Sequence, residues 1–145
     1  MMQRTVDVDT FINNTPDAVL AFIADCNNRT KYIPALKSLT NVQGEPGGQS
    51  WDWQFEVLGM SFSGTARSTN YQPGRAYAFE TQGDLGSQWQ YTATAEGDGA
   101  RLAIHVSYSV PDDVVAKAPP GIDLGAMEQA EAARVFSSLQ TILSR

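Results

Sequence analysis

The sequence predicts an α+β domain: a curved antiparallel sheet of about seven strands gripping a long C-terminal helix, with two short helices after strand one. Three observations carry that expectation. Residues 36–110 form a nearly unbroken series of segments with apolar side chains at every second position. Residues 124–145 repeat apolar side chains at the three-and-four spacing of an amphipathic helix. Between the first alternating segment and that series lies a stretch with strong helix-start signals, too short for a long helix. Strands followed by one amphipathic helix bury both apolar faces only if the sheet wraps the helix.

The first element runs from Thr5 to Ile12, with Val6, Val8, Thr10 and Ile12 opposed to Asp7, Asp9 and Phe11. Thr15 then offers a helix cap, Pro16 a first helical position and Asp17 a first-turn carboxylate, with Ala18, Val19, Phe22 and Ile23 as the expected buried side. After a polar break at Asn27 and Asn28, one or two further helical turns are expected before Pro34 stops them.

A strand from Leu36 to Gln43 and the turn-rich GEPGG lead to the clearest alternation in the chain, where Trp51, Trp53, Phe55 and Val57 oppose Asp52, Gln54 and Glu56. A two-residue loop at Leu58 and Gly59 would pair Phe55 with Phe62, Trp53 with Gly64 and Trp51 with Ala66. Gly64 and Ala66 then leave room opposite the two tryptophans. A turn at Pro73 and Gly74, pairing Gln72 with Arg75, brings Tyr77 and Phe79 onto the same face with Phe79 opposite Ser68. Trp89, Tyr91 and Ala93 follow, and after the turn EGDG come Leu102, Ile104, Val106, Tyr108 and Val110, with His105 on the opposite, outward parity. The last helix has an apolar stripe through Leu124, Ala132, Val135, Phe136, Leu139, Ile142 and Leu143, which turns acidic near its start at Glu128 and Glu131. An unpaired buried carboxylate is costly, so that end lies either at the surface or against a cavity.

Composition narrows the function classes. A chain of 145 residues is an ordinary single domain, here spanning 1–145, with enough interior for a core. One cysteine, Cys26, excludes a disulfide framework and a multi-cysteine metal site, and reads as a small half-buried hydrophobe. One histidine argues against a His-based metal cluster or a Ser–His triad, so neither metal nor cofactor is expected. A formal charge of −6 without a basic stripe argues against nucleic acid or an anionic membrane as partner. The start MMQRTVDVDT has no apolar run, so no membrane insertion and a cytoplasmic location are expected, with the oligomeric state left open.

The strand running into NTPDAVLAFIADCNNRTKYIPALKS, the hairpin WDWQFEVLGMSFSG, then YQPGRAYAF, SQWQYTATAEGDGARLAIHVSYSVP and the terminal helix together resemble the START-like helix-grip (SRPBCC) superfamily. Within it, the chain is similar to the branch of polyketide cyclases/dehydrases and lipid-transport proteins. The resemblance spans nearly the whole chain and implies a hydrophobic cavity between sheet and helix, open near the helix start. Members include lipid and ubiquinone carriers, aromatase/cyclases and hormone receptors, so the fold does not choose among activities.

The inward set Trp51, Trp53, Phe55, Phe62, Tyr77, Phe79, Trp89, Tyr91 and Tyr108 has two readings, a filled aromatic core or the wall of a small-molecule site, to which Glu128 and Glu131 would add carboxylates. The expected function is binding, and transport, of a hydrophobic small molecule; the alternative is a metal-free cyclase/dehydratase-like enzyme on an aromatic or polyketide-like substrate. The resemblance credits cyclases with pocket arginines and tyrosines, yet Arg67 falls on the outward parity and Arg75 at a turn, which leaves the catalytic residues unassigned. Arg29, Lys31 and Tyr32, near the entrance the resemblance implies, read as solvated.

Overall fold

A computed structural model describes residues 2–57, 59–110, 112, 116 and 124–144, and their side chains apart from 2, 57, 110 and 124–129. Seven antiparallel strands form one sheet: β1 (Met2–Ile12), β2 (Leu36–Gln43), β3 (Ser50–Val57), β4 (Met60–Gln72), β5 (Ala76–Gly83), β6 (Gly86–Glu96) and β7 (Gly99–Val110), in the order β1-β7-β6-β5-β4-β3-β2. The consecutive strands β1 and β2 therefore occupy opposite edges. Helix α1 (Pro16–Ala24) and a 3-10 helix (Cys26–Lys31) connect them, and the C-terminal helix α2 (Leu124–Leu143) packs along β1. This is the expected helix-grip arrangement.

Local chemistry accounts for the helix boundaries. The Thr15 hydroxyl accepts from the Ala18 amide at 3.2 Å and Pro16 opens α1, as expected. The buried face of α1 is Val19, Leu20, Ile23 and Ala24 rather than the predicted Ala18, Val19, Phe22 and Ile23, because Phe22 turns sideways to meet the Tyr32 ring at 5.8 Å. Asn27 and Asn28 do not break the chain. Asp25 accepts from the Asn27 amide at 3.1 Å and thereby caps the 3-10 helix that contains both.

The β3–β4 register is the expected one, with Trp53 opposite Gly64 and Trp51 opposite Ala66. The β4–β5 connection differs by one residue: Gln72 pairs with Ala76, so the loop is Pro73, Gly74 and Arg75, with Gly74 at φ +73°. A bulge between Ser68 and Asn70 absorbs the difference, and Phe79 still faces Ser68. The same bulge turns Tyr71, rather than Asn70, toward Tyr77, whose ring lies 6.1 Å away.

The core lies between the inner sheet face and α2, which contributes Val135, Phe136, Leu139 and Leu143. Ile142 was expected on that stripe but is 42% exposed, since residues 135, 139 and 143 already form the line that meets the sheet. Polar clamps fix the C-terminal end of α2: Gln140 Nε2 donates to Thr10 Oγ1 and the Phe11 carbonyl at 2.8 and 3.0 Å, and Asn14 Nδ2 donates to the Leu143 carbonyl at 2.7 Å. No described helix is long and apolar enough to cross a membrane.

Candidate functional site

All nine aromatic candidates of the sheet lie on its inner face. Trp51, Trp53, Phe62, Tyr77, Phe79 and Tyr91 are buried, and Phe55, Trp89 and Tyr108 are partly buried against them. Phe79 is their hub, with ring centroids 5.5 Å from Trp51, 5.5 Å from Trp89, 6.0 Å from Tyr77 and 6.3 Å from Tyr91. Phe79, Trp89 and Tyr91 are nearly parallel, with interplanar angles of 10°, 22° and 15°. The space opposite Trp53 is filled by Trp53 itself: its ring lies over Gly64 and its Nε1 donates to the Thr65 carbonyl at 2.9 Å. Trp89 Nε1 is likewise satisfied, by Ser87 Oγ at 2.9 Å.

Arg29 overturns its sequence reading. Instead of being solvated, its side chain is 2% exposed and enters this aromatic wall, and Tyr32 is buried beside it. The cause is the 3-10 geometry, in which every third residue eclipses the last, so that Cys26, Arg29 and Tyr32 share one inward line. Lys31 is exposed and donates to Asn28 Oδ1 at 2.8 Å. The Arg29 guanidinium sits 4.2 Å from the Phe79 centroid, 4.8 Å from Trp51 and 5.5 Å from Tyr77. The negative ring faces partly offset its lost hydration. Its Nη2 donates to the Ile23 carbonyl at 3.0 Å and Tyr77 Oη at 3.1 Å, while Nε makes a long contact of 3.5 Å to Tyr32 Oη. Two buried polar atoms of the wall, Arg29 Nη1 and Tyr91 Oη, have no hydrogen-bond partner among the described residues. Arg29 also forms no ion pair with a carboxylate among them.

Residues 3–141 match the family model described as "Polyketide cyclase / dehydrase and lipid transport". The chain belongs to this family. Among solved structures, it is similar to the Zhui aromatase/cyclase from Streptomyces sp. R1128, with 17% identity over 98% of this chain and 94% of that one and a TM-score of 0.77. A protein from Thermus thermophilus has 16% identity over 95% of both chains and a TM-score of 0.76. A START superfamily protein from Mycobacterium smegmatis has 13% identity over 96% of both and a TM-score of 0.72. At such identities the likeness is one of fold. No curated protein sequence matches.

Burial sets the electrostatics of this cyclase/dehydrase-family wall. It works against the charge of Arg29, but the Tyr77 hydroxyl that accepts from Nη2 favours that charge, as do the neighbouring phenols once ionised, so the pKa lies above the ordinary arginine value and the guanidinium stays charged. Burial raises the pKa values of those three phenols, only partly offset by Arg29, so at neutral pH each is a hydrogen-bond donor rather than a base. Burial also pushes the Cys26 thiol up. A folded-state phenol pKa above the unfolded value of about 10 means that stability is intact below about pH 10 and falls as the pH rises past it, because only the unfolded chain then releases the proton easily. Urea midpoints at pH 8 and pH 11 are expected to differ less for Tyr91→Phe than for wild type. An identical fall in both would contradict the assignment.

The acidic candidates divide. Glu131 is partly buried: its Oε2 accepts from Arg134 Nη2 at 2.6 Å, and its Oε1 is buried without a partner among the described residues. Glu128 falls outside the described side chains. The charged side chains of the outer face are paired in the open, Arg67 with Glu80 at 2.7 Å and His105 with Asp7, so Arg67 and His105 keep the outward parity expected of them. Arg75 is exposed at its turn. Among the described residues no three His, Cys, Asp or Glu side chains converge as a metal site. A shallow depression of about 400 Å³, lined by Gln3, Glu80, Gln88 and Ser107 among others, shares only Tyr108 with the aromatic wall, and its polar rim does not suit an apolar ligand.

Proposed function

We propose that this protein binds a hydrophobic small molecule between the inner face of its sheet and α2. One observation carries the reading: an aromatic wall that otherwise satisfies its own polar atoms holds two buried donors, Arg29 Nη1 and Tyr91 Oη, for which the described protein offers no acceptor. A core packed for stability alone would not retain them, since an unsatisfied buried polar group costs about 1–3 kcal/mol and a charged one more. An apolar surface with a few convergent polar groups is the usual form of a small-molecule site. The family match and the likeness to an aromatase/cyclase support the same reading.

A cyclase-like reaction is the second reading, favoured by the contact between Arg29 and Tyr77. Protonated phenols beside a fixed positive charge can polarise a ligand carbonyl and stabilise an enolate. Such a reaction also needs a base, and Glu131, whose Oε1 is buried without a partner among the described residues, is the carboxylate to test by Glu131→Gln. The binding reading is tested with Nile red, a neutral apolar dye. Saturable uptake of about one dye per chain, with quenching of tryptophan emission, is the expected result, and native mass spectrometry of protein from its own host should show a co-purified small molecule. Failure of both would end the proposal.

A further inference from the structure

Resting on that reading, we infer that the ligand is an acidic aromatic molecule, a planar apolar body with one ionised oxygen, carboxylate or phenolate, held by Arg29 Nη1 and Tyr91 Oη. The guanidinium carries its charge into the wall without a carboxylate partner among the described residues, and what surrounds it is three ring faces, two phenol oxygens and the Ile23 carbonyl. These groups lessen the cost of burial but leave a net positive charge. The second unpartnered atom, Tyr91 Oη, belongs to a fully buried protonated phenol and so adds another donor. Two donors, one of them charged, suit an anion. A hydrocarbon would bury both unpaired, and a cation would meet like charge. The planarity of the body follows from the nearly parallel rings of Phe79, Trp89 and Tyr91, which offer a flat aromatic system to stack beside.

The test compares three probes by calorimetry at neutral pH and low salt: 2-naphthoate, its neutral isostere 2-naphthamide, and Nile red. Wild type is expected to bind the acid about ten- to a hundredfold more tightly than the amide, the range of a charge-assisted hydrogen bond. Arg29→Met should abolish that preference, and Tyr91→Phe should reduce it about three- to tenfold. Equal affinity for acid and amide in a wild type that binds Nile red overturns the acidic ligand and leaves the binding site standing. Binding of none of the three overturns both. Should Arg29→Met fail to fold, Tyr91→Phe decides alone: it keeps the ring and removes an unpartnered hydroxyl, so an undiminished acid preference there overturns the assignment.

Discussion

Gly64→Ala is expected to destabilise the protein by about 3 kcal/mol or more, although it adds one methyl group. A β carbon at Gly64 would stand 1.9 Å from the Gln82 carbonyl oxygen and 2.6 Å from Cζ2 of Trp53. The first is backbone of the neighbouring strand and cannot swing aside. The second belongs to a ring pinned by its own hydrogen bond to Thr65. The strand end is locked as well, since the Ser63 amide donates to Asp84 Oδ2 at 2.9 Å and the Asp84 amide to the Ser63 carbonyl at 3.0 Å. Gly48 is the control, because a β carbon there meets nothing within 4 Å and Gly48→Ala should lie within about 0.5 kcal/mol of wild type. Denaturant melts that find the two variants equally stable would refute this account of Gly64.

Leu139→Ala is expected to cost about 3–5 kcal/mol, at the upper end for a buried leucine. Leu139 is fully buried midway between Val135 and Leu143, at the centre of the line along which α2 meets the sheet. The polar clamps of Gln140 and Asn14 hold the helix end in place, so the helix cannot slide to refill the gap. Ile142→Ala, one turn along on the exposed flank, should cost less than about 1.5 kcal/mol by comparison. Equal losses for the two would mean that the helix is not gripped along this line.

Much of the fold was legible because strands of period two leave a strong trace. The β3–β4 register could be written out residue by residue, since any slip of one would have turned Trp51 and Trp53 to solvent. The loop at Pro73 and Gly74 was read one residue short, and a bulge further along the strand hid the error by returning Phe79 to Ser68. Bulges leave no periodic mark. Arg29 was missed for a different reason: flanked by Asn28 and Thr30, it sits in a run of polar residues that hydrophobicity alone assigns to solvent. The readable signal was spacing, because Cys26, Arg29 and Tyr32 recur at intervals of three, the period of the 3-10 helix rather than of the α-helix. The aromatic wall could be listed from parity, but which of its polar atoms would lack partners depended on how the rings packed in three dimensions.

The strand order also dictates a sequence of events in folding. Strands β2 to β7 form a meander in which each pairs with its neighbour in the chain, so they can zip together one hairpin at a time through local contacts. The strand β1 cannot join this process early. Among the described strands its partner is β7, with Met2 opposite Val110, and the helix that covers it follows β7 in the chain. On a ribosome, β1 would wait until β7 had been made before its edge found a mate. Closing that long loop is the entropically expensive step, and until it happens the apolar side chains Val6, Val8 and Ile12 stay uncovered. The kinetic weak point of this protein is thus its N-terminal strand, far from the wall of Arg29 and Phe79.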